Sequence, residues 1–253
     1  MSRRTLEQPW PRSAAEAQLL QERLRGQVVT KDQLGVVQRV AGVDAYYSVD
    51  RVWAAIAVMT LPDLVRVESL LVHRPLPFPY VPGLLSFWEA PPILEVLQRL
   101  SEKPDLLLVD GQGLAHPRRV GLACHLGVLG DVPTIGVAKS RLVGTYQEPG
   151  IERGAWSKLI DRGETVGAVL RTRSEVRPVF VSIGHRISLK TAIDFVLRCT
   201  GHFRLPEPIR AADTLSRQHP VGSPIIIRLD TLRSSPAAFS SLAEERHTVT
   251  SSE

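Results

Sequence analysis

The 253 residues hold only two cysteines, Cys124 and Cys199, and each lies in an apolar, helix-like stretch. A disulfide framework or a cysteine zinc site is therefore not expected, and a reducing cytoplasmic setting fits. No run of about 18 uncharged apolar residues occurs, which argues against a membrane span. The opening stretch, MSRRTLEQPWPRSAAEAQLL, has arginines but no apolar block behind them, so it does not read as a secretory signal. No internal repeat is visible, and no His/Cys cluster has zinc-ligand spacing. Charge of one sign is not in large excess either. Lys plus Arg number 31 against 26 acidic residues, and the formal charge of +5 is a mild lean toward polyanions that many unrelated enzymes share.

What is present suits one sizeable domain over residues 1–220 with a loosely ordered tail from 221 to 253, where the chain turns Ser/Thr-rich after Pro220. Ser13-Ala-Ala-Glu16 opens a capping box, and the helix behind it ends near Gly26. Three β-rich runs follow, Arg39 to Ser48, Val52 to Thr60 and Leu64 to His73, and their short turns predict an antiparallel meander. A proline-rich loop leads to Leu84–Glu89, and Pro91-Pro92 suit the first turn of a helix ending near Leu100. Asp105 to Val109 reads as a buried parallel strand running into Asp110-Gly111. Then come a helix from Arg119 to Leu129, strands at Thr134–Val137, Thr165–Arg171 and Pro178–Ile183, and helices at Ser188–Cys199 and Pro206–Gln218. This order predicts an α/β, ribonuclease H-like mixed sheet, an antiparallel three-strand meander followed by parallel strands, with helices on both faces. Between Arg171 and Lys190 five Lys or Arg face one carboxylate, Glu175, which is either a solvated edge or a phosphate-facing strip.

Three carboxylates fall at telling places. Asp44 interrupts the first strand in RVAGVDAYYS, Glu89 sits in GLLSFWEAPP, and Asp110 ends the buried strand PDLLLVD. A charge inside a half-buried strand is costly unless paired or metal-bound. If the first and fourth strands are neighbours, Asp44 and Asp110 lie side by side and need a cation between them. Few, hard oxygen ligands suit Mg²⁺ or Mn²⁺ and phosphoryl chemistry. Taken singly, each has a plainer use, as a turn residue, a helix cap or a helix-end carboxylate.

The stretches AGVDAYY, PYVPGLLSFWE, PDLLLVDGQGLAHPRRVGLACHLG, IGVAKSRLVG, VSIGHRISL and LPEPIRAAD, in this order from Val40 to Asp213, resemble the endonuclease V family. The resemblance implies a ribonuclease H-like fold and a Mg²⁺- or Mn²⁺-dependent nuclease. Such an enzyme recognises hypoxanthine from deaminated adenine in DNA and cuts the second phosphodiester bond 3′ of it. By motif, Asp44, Glu89 and Asp110 would be metal ligands, with Asp213 a further one. Tyr80, presented by Pro79, Val81 and Pro82, would be the wedge that fills the gap left by the extruded base. Gly83, Gly111, Gly113 and Gly136 would let backbone close around that base. Lys139 would stand at the scissile phosphate, His116 near the active site, and His185 and Arg186 at backbone phosphates. One departure is Trp88, where arginine is expected; an indole cannot pair with carboxylate or phosphate, so phosphate contact and the positioning of Glu89 are called into question there. The expected partners are DNA carrying deoxyinosine or other deaminated bases and no membrane, for a monomeric chain. The rival readings are an inosine-specific ribonuclease acting on RNA and a non-catalytic lesion-binding protein.

Overall fold

The computed structural model describes residues 10–11, 13–47, 51–75, 83–218 and the backbone of 226–230. Helix α1 (Ala14–Arg25) starts where the capping box places it. Ser13 is extended and its Oγ accepts the Glu16 N–H at 3.2 Å, satisfying one orphan donor of the first turn. Strands β1 (Arg39–Tyr47), β2 (Arg51–Thr60) and β3 (Arg66–Pro75) pair antiparallel in chain order. β4 (Leu106–Asp110) then runs parallel to β1, with Val43 opposite Val109, and β5 (Thr134–Ala138) runs parallel to β4. This is the ribonuclease H-like order. Beyond β5 the sheet is extended antiparallel by β8 (Val179–His185), β7 (Glu164–Leu170) and β6 (Trp156–Asp161).

Both faces are covered. Leu107 and Val109 of β4 pack with Ala41, Val43 and Ile56 under α2 (Ser86–Arg99) and α3 (Leu122–Gly130). Leu106 and Leu108 point the other way, into the cluster shared with α4 (Leu189–Arg198) and α5 (Glu207–Arg217). Asp110 continues the Leu106–Leu108 alternation, and Asp44 continues that of Val40 and Gly42, so both carboxylates lie toward α5. Gly42 permits that helix to come close, since a Cβ there would lie 2.0 Å from the backbone carbon of Pro208.

The structure departs from the sequence expectations at four places. α2 begins at Ser86, so Pro91 and Pro92 sit inside it rather than in its first turn. Proline at 91 removes the donor to the Phe87 carbonyl, and that carbonyl instead accepts the Trp10 indole N–H at 2.9 Å. α3 starts at Leu122, three residues later than expected, after Arg119 has taken a positive φ of 60°. β6 had no sequence expectation; only Leu159 of its six residues is buried, so its apolar pattern is faint. Finally, Ile226–Asp230, inside the stretch expected to be a loosely ordered tail, is a strand, β9, paired antiparallel with β3 at the sheet edge.

Candidate metal and phosphodiester site

The carboxylates meet at the end of the sheet where β1 and β4 finish. Oxygens of Asp44, Asp110 and Asp213 all lie within 4.8 Å of one another. The parallel register sets the first two side by side, and α5, let in by Gly42, supplies the third from above. Ser216, one turn beyond Asp213 and fully buried, donates its hydroxyl to Asp44 Oδ2 at 2.6 Å. The Lys139 ammonium, just past the end of β5, stands 2.5 Å from Asp110 Oδ2 and 3.7 Å from Asp213 Oδ1. Arg217 pairs with Asp213 at 3.1 Å. Its hydrogen bond holds the Asp213 carboxyl below the usual range, with Lys139 adding to the effect. Asp44 goes the other way. Burial raises it to about 6, and the neighbouring Asp110 and Asp213 add to the rise against the Ser216 hydrogen bond.

Glu89 approaches from the first turn of α2 and is not one of the three oxygens that converge. It is buried, its Oε1 accepts the Tyr47 hydroxyl, and Trp88 leans on the Tyr47 ring with centroids 5.8 Å apart. Glu89 therefore has a positioning partner although arginine is absent at 88. Burial pushes its carboxyl up to about 8, with repulsion from Asp44 and Asp110 adding to it.

Beside these acids opens a cavity of about 370 Å³, lined by Gly83, Leu85, Ser86, Glu89, Asp110, Gly111, Gln112, His116, Arg118 and Leu142 among others. His116 is buried, and its Nδ1 accepts the Arg118 N–H at 3.2 Å, which puts the ring proton on Nε2. Burial and the cationic Arg118 lower its pKa to about 4, so the imidazole is neutral near pH 7.

Not every sequence candidate arrives here. Gly83 and Gly111 line the cavity, but Gly113 and Gly136 do not. A Cβ on Gly113 would meet the Ile183 carbonyl at 2.0 Å, and one on Gly136 the Gly113 nitrogen at 2.5 Å. Their lack of a side chain serves packing between the loop after β4 and the sheet. His185 pairs across from Thr134, the first residue of β5, while Lys139 follows its last. At the usual rise the two ends of that strand are roughly 13 Å apart. Arg186 is bound there to Asp131 at 2.5 Å, so both residues stand at the rim of the sheet opposite the acids. Nor is the Arg171–Lys190 stretch one basic patch, since Arg171 is buried against Glu148 and backbone carbonyls. Tyr80, with Pro79, Val81 and Pro82, lies outside the described residues. Sequence reasoning missed Ser216, Tyr47 and Arg118. Ser216 was within reach, three residues after Asp213 on a helix face already assigned.

The acid set fits a divalent cation. Three carboxylates converge with Glu89 buried nearby, Lys139 and Arg217 answer them, and Asp44 stays raised in spite of Lys139. All the donors are hard oxygens, which suits Mg²⁺ or Mn²⁺.

Known proteins resemble this chain in sequence and fold. The family model described as Endonuclease V matches residues 22–214. An endonuclease V of Trichormus variabilis is 56% identical over 211 residues, covering 82% of this chain and 96% of the relative. The crystal structure of Streptomyces avermitilis endonuclease V superposes with a TM-score of 0.79 at 44% identity, covering 82% of this chain and 93% of that one. Ciona intestinalis endonuclease V, solved in complex with a 24mer DNA containing an inosine followed by a ribo-adenosine, superposes with a TM-score of 0.71 at 34% identity. That match covers 80% of this chain and 95% of the relative.

Proposed function

The chain belongs to the endonuclease V family, and from that premise we propose a Mg²⁺-dependent enzyme that recognises deoxyinosine in DNA and cuts the second phosphodiester bond 3′ of it. Mn²⁺ substitutes for Mg²⁺, and the cut starts repair of deaminated adenine. Residues 1–220 form the catalytic unit. The observation that carries this reading is the convergence of Asp44, Asp110 and Asp213 beside the cavity lined by Gly83, Gly111 and His116. Asp44 and Asp110 would hold the cation from the sheet, with Asp213 from α5 and Glu89 from α2. When bound, the ion stabilises charge on the scissile phosphoryl group and activates water.

The chain's own groups do the rest. The Lys139 ammonium, already beside Asp110, turns to the phosphate and offsets its charge. Neutral His116 offers Nε2–H as a donor and does not act as a charged acid. The cavity takes the extruded base, with backbone at Gly83 and Gly111 close to its edge. Tyr80, held by Pro79, Val81 and Pro82, fills the vacated stack.

The Ciona intestinalis relative was solved on DNA with a ribo-adenosine directly after the inosine, which keeps a second reading open, an inosine-specific endoribonuclease. The deciding assay uses end-labelled duplexes with one inosine that differ only in the sugars 3′ of it, with Mg²⁺ and with chelator. A cut immediately 3′ of the inosine's 3′ neighbour, lost with chelator and seen on all-deoxy strands, supports the main reading. Cutting confined to ribo-containing strands supports the second, and binding with no cutting of either overturns both.

A further inference from the structure

Helix α1 carries an anomaly in its buried stripe. Ala17, Gln21 and Leu24 are its buried residues, and Gln21 is fully enclosed between two apolar neighbours. Ala17 packs with Leu84 and Phe87, and Leu24 with Val120 and Cys124. A glutamine there satisfies its amide or is costly. It is satisfied by one wall of the cavity. Gln21 Nε2 donates to the Gly83 carbonyl at 3.1 Å and to the Val120 carbonyl at 3.2 Å, and Gln21 Oε1 accepts the Arg118 Nε–H at 2.5 Å. Arg118 Nη2 donates to the same Gly83 carbonyl at 2.7 Å, and the Arg118 N–H holds His116 Nδ1. Gly83, His116 and Arg118 all line the cavity, whereas Gln21 lies behind them and does not.

Resting on the reading of this cavity as the base pocket, we infer that Gln21 is a positioning residue for base selection. It bridges Arg118 and Gly83 and so fixes where the Gly83 wall stands against the extruded base. The bridge spans three separate parts of the chain, with contacts 62, 97 and 99 residues apart in sequence. Gly83 has no side chain of its own to brace it, so its carbonyl depends on donors from elsewhere. Gln21 and Arg118 both donate to it, and His116, which also bonds the Gly83 backbone, is held by the Arg118 N–H. Gln21 also precedes residue 22, where the family match begins.

The test is steady-state nicking with Mg²⁺ of duplexes bearing one hypoxanthine or one xanthine at the same position. Gln21→Leu removes both halves of the bridge and keeps the volume. Gln21→Glu keeps the acceptor for Arg118 and loses the donation to Gly83. For Gln21→Leu, KM on hypoxanthine should rise about tenfold with kcat within about twofold, and the hypoxanthine-to-xanthine ratio of kcat/KM should move at least about threefold. Gln21→Glu, which also loses the donation to the Val120 carbonyl and sets an acceptor against both carbonyls, should shift the same two quantities in the same direction, with a melting temperature a few degrees lower and the chain folded at the assay temperature. If Gln21→Leu does not fold, Gln21→Glu decides alone. Folded variants that keep the base ratio, or that lose rate on both bases by one common factor, would reduce Gln21 to a tether for α1. A parent chain that cuts neither duplex would refute the functional reading and this inference with it. A parent that cuts while the variants keep its preference refutes this inference alone.

Discussion

Glu68 and Glu89 are buried glutamates at opposite ends of one sheet, and they are treated in opposite ways. Glu68, on β3, receives the Ser101 N–H at 3.1 Å, the Ser101 hydroxyl at 3.2 Å and the Arg39 guanidinium at 3.8 Å. Glu89 receives Tyr47 and faces two carboxylates that repel it. The first end is closed on itself. Asp32 there caps α4 through Ser188 and Thr191, and the Asp105 side chain accepts the N–H groups of Gln38 and Arg39. The second end gathers acids with too few partners, which is how a site looks when the missing partner comes from outside the chain. The lesson is that burial of an acid says little, and its unanswered charge says more.

The largest effect should come from removing that charge. Asp110→Asn and Asp44→Asn should each slow single-turnover nicking of an inosine duplex by about a thousandfold or more, since they remove metal affinity and phosphoryl stabilisation together. Affinity for the same duplex, read by anisotropy, should stay within about fivefold. Near-normal nicking by either variant would erase the contrast between the two ends.

Stability should invert it. Asp44→Asn leaves an acceptor for Ser216 and relieves repulsion, so metal-free chain should gain on the order of 1 kcal/mol at pH 8. Glu68→Gln at the closed end should lose about 0.5–1.5 kcal/mol by giving up the charge that Ser101 and Arg39 face, although an acceptor remains for Ser101 and Glu102 still holds Arg39. For a chain of this size these shift the melting temperature by about 2–4 °C per kcal/mol, upward and downward respectively. Equal signs would mean that the two ends are not different in kind.

Acidity sharpens the same point. Asp44 is raised to about 6 and Glu89 to about 8. The native chain therefore holds protons that the unfolded chain has released, between the ordinary carboxylate range and about pH 8. Metal-free stability from these two groups falls as pH rises through that window. Mg²⁺ should then raise the melting temperature by several degrees at pH 8 and by little at pH 5, where both acids keep their protons. His125, buried and lowered to about 3, acts in reverse. The unfolded chain takes its proton below about pH 6.5 while the folded chain refuses it, so this contribution is lost as pH falls.

Much of this was legible in the residues. Alternation and length gave β1 through β5, and two carboxylates at parallel strand ends gave half the site, because a one-dimensional pattern fixes which face a side chain takes. The Ser13 cap was equally local. What escaped depends on contacts that no local pattern carries. α2 runs through Pro91 because Trp10, far off in sequence, takes the freed carbonyl. Gly113 and Gly136 looked like pocket glycines, but a Cβ on Gly113 would meet backbone of β8 and one on Gly136 backbone of the loop after β4. His185 and Arg186 were grouped with the site by their motif and the basic stretch around them, and no local pattern shows that the antiparallel run of β8 sets them at the far end of β5 from Lys139.

That last placement yields the smallest expected effect, and a direct check on the contrast between rims. Arg186 is tied to Asp131, its backbone N–H to the Val29 carbonyl, and His185 Nδ1 accepts the Val29 N–H at 3.2 Å. These contacts hold the segment before β1 against the end of β8, at the rim remote from the acids. The Arg186–Asp131 pair is partly exposed, 33% and 59% by side chain, so screening leaves it about 0–1 kcal/mol. Arg186→Ala should change lesion affinity and nicking rate by less than about twofold and lower the melting temperature by about 1–3 °C. A phosphate contact would behave otherwise, weakening binding to all sequences and flattening its salt dependence by about one ion. Measured affinity from 50 to 200 mM salt therefore separates the two, and an unchanged slope places Arg186 with the closed end of the sheet.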